Sequence, residues 1–134
     1  MKNLLIFITL ILGITVKVNA QEEAYLRLGM TLTEIRKELP NSKLDNKDNF
    51  KVITQETEYS RIFYFINNED ICNLQVYQYN LTFLPALLSI LNEDISFIQL
   101  NSLEYLYNNG KNVRKYKISI DSANEIVSLY VENM

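Results

Sequence analysis

The stretch Ile71-Cys72-Asn73-Leu74-Gln75-Val76-Tyr77-Gln78-Tyr79 decides the fold class. Cys72, Leu74 and Val76 alternate with Asn73, Gln75 and Tyr77, the period-two pattern of a strand with one covered face. Upstream, residues 50–56 and 60–66 are rich in β-branched and aromatic side chains and read as two further strands. Thr57-Glu58-Tyr59 links that pair, and Asn67-Asn68-Glu69-Asp70 turns the chain into residues 71–79. Downstream, Thr82 is placed as a helix N-cap, and the apolar residues at 84, 87, 88 and 91 share one helical face. Pro85 is tolerated there because the first-turn N–H groups have no intrahelical partner. Residues 95–100 read as a short extended piece, and 103–107, 113–120 and 125–132 as strands. Asn109-Gly110 marks a hairpin between the first two of these, and residues 121–124 join the last two.

Toward the amino terminus, Leu28-Gly29-Met30-Thr31-Leu32-Thr33-Glu34-Ile35 is a helix start. Thr31 and Glu34 have the spacing of a capping box, and Met30 and Ile35 that of a hydrophobic staple. Pro40 ends this helix at Leu39, and the polar residues 41–49 read as a loop. The fold class is therefore α+β: an antiparallel sheet of about six strands with two helices on one face. Helix and three strands recur at offsets of 51 to 54 residues, a candidate duplication of an αβββ unit, although identity between the halves is low. The alternation puts Cys72, Leu74, Val76, Tyr116, Ile118, Ile120, Val127, Leu129 and Val131 under the helices. Asn73, Gln75, Tyr77, Lys115, Lys117, Ser128 and Tyr130 fall on the open side.

Residues 1–20, MKNLLIFITLILGITVKVNA, have the form of an export signal. Lys2 precedes an apolar run over residues 4–16, and Val18-Asn19-Ala20 offers small residues at a cleavage site. The competing reading, a membrane anchor, needs roughly 20 apolar residues, and this run is shorter. No cysteine adjoins the cut, so a lipidated first residue is not expected. The expected product is residues 21–134, a single α+β domain with no stable membrane anchor. The abundance of Asn, Ile, Lys and Tyr suggests an AT-rich bacterial genome, hence a periplasmic or secreted location.

Loss of Lys2 and Lys17 leaves 11 basic against 16 acidic residues, a net charge of about −5. That balance argues against nucleic acid as a partner. The chain has no histidine and one cysteine, which excludes Ser–His and Cys–His catalysis, the usual zinc sites and an internal disulfide. Cys72, within an apolar series, reads as a small buried hydrophobe. The pairs Asp45 with Asp48 and Glu56 with Glu58 lie in or beside polar loops, where solvated charge explains them. The expectation is a non-enzyme with no cofactor and no metal. The candidate binding residues are Tyr77, Tyr130, Lys115 and Lys117 on the open face, because tyrosine offers contact area with a polar tip. Strands also favour tyrosine without any site.

The segment 28–39 resembles the glycine-methionine-threonine-then-helix opening of the small outer-membrane barrel-assembly lipoproteins. These are related in fold to the β-lactamase inhibitor protein, with its two helix-plus-antiparallel-sheet units. The sequence departs from the lipoproteins in lacking a lipidated cysteine, and from the inhibitor in lacking disulfide pairs. The resemblance implies a non-catalytic binding or assembly module of the cell envelope, meeting an envelope protein or peptide. A small-ligand or glycan binder is the alternative, and a carboxylate-dependent hydrolase a third reading.

Overall fold

The computed structural model describes residues 26–134. The export segment expected over residues 1–20 lies outside them. The chain order is α1 (Leu32–Glu38), β1 (Lys43–Asn46), β2 (Lys51–Glu56), β3 (Ser60–Ile66) and β4 (Cys72–Asn80). A 3-10 turn (Leu81–Phe83) then leads into α2 (Leu84–Glu93), β5 (Phe97–Asn101), β6 (Glu104–Asn108), β7 (Val113–Asp121) and β8 (Ile126–Asn133). All strands are antiparallel neighbours in one sheet of order β1-β2-β3-β4-β8-β7-β6-β5.

This corrects the architecture expected from sequence, a six-stranded sheet with two helices on one face. The sheet has eight strands, and the helices are short, seven and ten residues. The two additional strands are β1, within the segment read as a polar loop, and β5, within the segment read as an extended piece. Both are edge strands, with one side open to water, so neither carries the apolar alternation of a covered strand. The repeated unit is consequently αββββ rather than αβββ. Each half is a four-stranded meander, and the halves meet where β4 pairs with β8.

The helix start forms as its residues dictate. Thr31 Oγ1 accepts from the Glu34 N–H at 3.2 Å, and Glu34 Oε1 accepts from the Thr31 N–H at 3.0 Å. The second helix starts differently from expectation. Thr82 lies inside a 3-10 turn capped by Asn80, whose Oδ1 accepts from the Thr82 N–H at 3.0 Å, and α2 itself follows from Phe83 without a side-chain cap. The Asn109-Gly110 segment is a four-residue loop, not a two-residue turn. Gly110 takes φ +89°, and Asn109 Oδ1 accepts from the N–H groups of Lys111 and Asn112.

The largest correction concerns which side chains share a face. Phe65 pairs with Leu74 but Ile66 pairs with Cys72, so Asn73 is an extra residue in β4, a β-bulge. One inserted residue reverses the alternation beyond it. Cys72 lies under α1 with Ile35, Ile53, Ile62, Tyr64 and Ile66. Leu74 and Val76 pair with Phe65 and Phe63 on the opposite face. Gln75 and Tyr77 pair with Tyr64 and Ile62 on the helix side. The expected placement of Leu74 and Val76 under the helices, and of Gln75 and Tyr77 on the open side, is reversed by this bulge. β7 and β8 carry no such insertion. Tyr116 pairs with Val131, Ile118 with Leu129 and Ile120 with Val127, in unbroken register.

The second core cluster lies under α2. Leu87 and Leu91 meet Phe97, Tyr105, Tyr107, Tyr116, Ile118, Val127, Leu129 and Val131. Phe97 sets its ring edge-on to Tyr116, with centroids 4.8 Å apart, an arrangement that the ring quadrupoles favour. Tyr77 borders both clusters and joins them across the β4–β8 seam.

Candidate functional site

The face opposite α1 and α2, helix-free among the described residues, is organised by register. One transverse row runs Thr54, Phe63, Val76, Tyr130, Lys117, Glu104 across six strands, each directly opposite the next. A neighbouring row places Glu132 opposite Lys115, Lys115 opposite Leu106, and Leu106 opposite Ile98. The face is thus apolar and aromatic over β2 to β4, and charged over β6 to β8. Phe50 extends the aromatic part, with its ring 5.9 Å from that of Phe65.

Three of the four expected binding residues come together here. Lys117 lies opposite Tyr130, which is 37 % exposed, and Lys115 lies two residues from Lys117 in β7, on the same face. Lys115 Nζ is 2.9 Å from Glu104 Oε2. That hydrogen bond holds the Glu104 carboxyl below its ordinary range and raises the Lys115 ammonium above its own. Lys117 adds a weaker Coulombic pull on Glu104. Tyr77 is not part of this cluster and sits on the helix-covered face.

Tyr77 instead belongs to a buried polar network that sequence reasoning did not find. Gln75, fully buried, accepts from the Arg27 N–H at 2.9 Å and donates from Nε2 to the Tyr77 hydroxyl at 2.7 Å. The Arg27 guanidinium donates from Nη1 to the Tyr64 hydroxyl at 2.9 Å and from Nε to Glu38 Oε1 at 3.2 Å. The Tyr64 hydroxyl in turn donates to Gln55 at 2.7 Å. Burial raises the Tyr64 hydroxyl to about 12, opposed by the positive charge of Arg27. Arg27 sits in a lead-in without a helix or strand pattern, so nothing local in the sequence marks it as a core residue. The network fixes the lead-in to the sheet and the end of α1; every polar group named in it has a partner.

Two of the open grooves among the described residues lie beside the candidate surfaces of the sheet. One, of about 520 Å³, lies between the end of α1 and the β1–β2 pair, lined by Glu38, Pro40, Asn41, Lys43, Gln55 and Glu56, with no aromatic side chain. The other, of about 340 Å³, lies at one end of the sheet against Tyr59, Arg61, Gln78, Tyr79, Asn124 and Glu125. Tyr59 and Tyr79 both set edges to Phe83, at 6.1 and 6.3 Å.

Glu38 and Glu56 both line the first groove and both are held in ion pairs, Glu38 with Arg27 at 3.2 Å. Glu56 is ion-paired with Arg61 at 3.0 Å on the surface, and Asp45 stands on the outer strand β1. Cys72, the single thiol, is buried, and burial pushes it up to about 11, away from the reactive thiolate. Among the described residues, no three of His, Cys, Asp and Glu gather in a way that would hold a metal ion. Nor is any described helix long and apolar enough to cross a membrane. No protein-family model, curated protein or solved structure matches the chain.

Proposed function

We propose that this protein is an exported, non-catalytic binding or assembly module of the bacterial cell envelope, working through a protein contact on the helix-free face. Its envelope setting rests on the character of residues 1–20 and on the resemblance to the barrel-assembly lipoproteins and the β-lactamase inhibitor protein. One observation carries the reading: a transverse row runs from Phe63 through the buried Val76 to the exposed Tyr130 and Lys117 and on to Glu104, on the face opposite α1 and α2. It joins an aromatic area to a charged one, the composition of a contact with an apolar centre and a polar rim.

A photo-crosslinking side chain at Tyr130, with one at Ser89 on α2 as control, tests this in the producing cell. A discrete crosslinked envelope protein is expected from position 130 and not from position 89. Lys117→Glu should reduce its yield. Equal crosslinking from both positions removes the proposed face.

A second reading, a small-ligand or glycan binder, is favoured by the groove at Tyr59 and Tyr79. There two tyrosine rings and an arginine line an open cleft beside Gln78 and Asn124. Titration with soluble cell-wall fragments should then show saturable binding that Tyr59→Ala abolishes, while Tyr130→Ala leaves it intact.

A further inference from the structure

The two halves of the sheet end on equivalent strands, β1 and β5, and these edges are built differently. An edge strand exposes a row of unpaired N–H and C=O groups, and proteins commonly guard it with charge, proline or brevity. β1 is guarded: it is four residues long and contains Lys43 and Asp45. β5, Phe97–Asn101, is five residues long and reads FIQLN, with neither charge nor proline, and its one irregularity follows Gln99. The exposed apolar side chains of this region line it: Ile95 is 98 %, Ile98 56 % and Leu100 54 % exposed.

Hydrogen bonding shows which β5 groups face outward. The Asn108 N–H donates to the Ser96 C=O, so the paired positions facing β6 continue at Ile98, which lies opposite Leu106. The N–H and C=O of Gln99 therefore point away from β6. The β5–β6 register shifts between Gln99 and Asn101, so pairing with β6 is irregular beside this point.

From this we infer that β5 is the interface for a second copy of this chain, joined antiparallel about a two-fold axis at Gln99 into one sheet continuous across both copies. The match is self-complementary. Gln99 exchanges both backbone hydrogen bonds with Gln99 of the second copy, and Ile98 comes opposite Leu100. An isologous contact must place each residue against its symmetry mate without like-charge conflict. An uncharged strand satisfies that condition on a protein that is acidic elsewhere. The same neutrality gives no feature for recognising a charged peptide. Main-chain pairing along an open edge is a known mode of strand addition. The interface is the main-chain edge of β5, three strands from Tyr130 on β8, and only Ile98 is shared with the face described above, so either proposal can fail alone.

The full-length gene product, purified in the form the cell leaves it, tests this by sedimentation over a wide concentration range. A concentration-dependent shift from the mass of one chain to twice that mass is expected. Ile98→Lys should hold the protein at single mass, with the melting temperature that the wild type has when diluted to single mass, since the side chain is already 56 % exposed. A second measurement removes no interaction. Gln99→Cys should form a disulfide-linked pair under mild oxidation, because facing residues in a narrow antiparallel pair bring their Cα atoms within disulfide range. Lys43→Cys on the guarded edge should not, and Cys72 is buried. A single-chain mass at every concentration, aggregates without a discrete dimer, or equal crosslinking at both edges would each overturn the proposal. So would a heterologous peptide on β5 of a protein that stays monomeric.

Discussion

At the residue scale, most of the fold's unusual chemistry converges on Arg27, Tyr64 and Cys72. Arg27 is 7 % exposed and holds three groups from different elements: Glu38, Tyr64 and Gln75. Its guanidinium also lies 5.4 Å from the centroid of the Tyr64 ring. Arg27→Met is expected to destabilise the protein by about 1–2 kcal/mol in urea unfolding, because the buried Tyr64 hydroxyl loses a donor and the half-exposed Glu38 loses its ion pair, while the backbone bond to Gln75 remains. Cys72 and Tyr64 predict an alkaline limit. Burial raises both groups above their ordinary values, 9.0 to about 11 and 10.0 to about 12. The neutral forms are therefore favoured by folding, and their contribution is complete below pH 9. It is lost as pH rises, between 9 and 11 for the thiol and between 10 and 12 for the phenol. Each rise corresponds to roughly 3 kcal/mol. Urea midpoints measured across this range should fall, and in Cys72→Ala the decline should start about one pH unit later.

At the element scale, local signals succeed where a short segment satisfies its own hydrogen bonds. The capping box at Thr31 is such a case, and Thr31→Ala should cost about 1 kcal/mol, read from chemical denaturation. The exposed Glu34 carboxyl is held below its ordinary value, 4.5, by its bond to the Thr31 backbone. Its contribution is present above that value and should disappear as pH falls through the lowered one. Alternation is a weaker signal than capping, because it assumes an unbroken pairing. In β7 and β8 it assigns faces correctly. In β4 Asn73 breaks it, and Leu74, Gln75, Val76 and Tyr77 all change sides. No property of Asn73 in isolation announces a bulge; the extra residue is visible only against β3. Deleting Asn73 should force either Cys72 out of its core or Gln75 out of its network, costing at least about 2 kcal/mol. Asn73→Ala, at an exposed position, should change stability by less than about 0.5 kcal/mol.

At the scale of the whole molecule, the two αββββ halves depend on their seam. Val127 and Val131 are completely buried, and they lie opposite Tyr79 and Gln75 across the β4–β8 pairing. Separating the halves would expose this row and leave two more open edges. Fragments 21–80 and 81–134 should each lack a cooperative thermal transition by circular dichroism, and an equimolar mixture should regain one.

The same scale separates what the chain dictates locally from what folding decides. The capped start of α1, most strand segments, the absence of histidine and the shared face of Lys115, Lys117 and Tyr130 follow from residue types and spacings over short stretches. They are readable in the chain because capping, propensity and the two-residue period of an uninterrupted strand act between near neighbours. Long-range packing fixes that residues 43–46 pair as a strand, that the extended piece at 95–100 joins the sheet, that Asn73 is a bulge, that Tyr77 turns inward and that Arg27 joins the core. Each depends on a partner distant in sequence: an edge strand exists by pairing, a bulge by comparison with its neighbour strand, and a buried arginine by the hydroxyl and carboxylate that other elements bring to it.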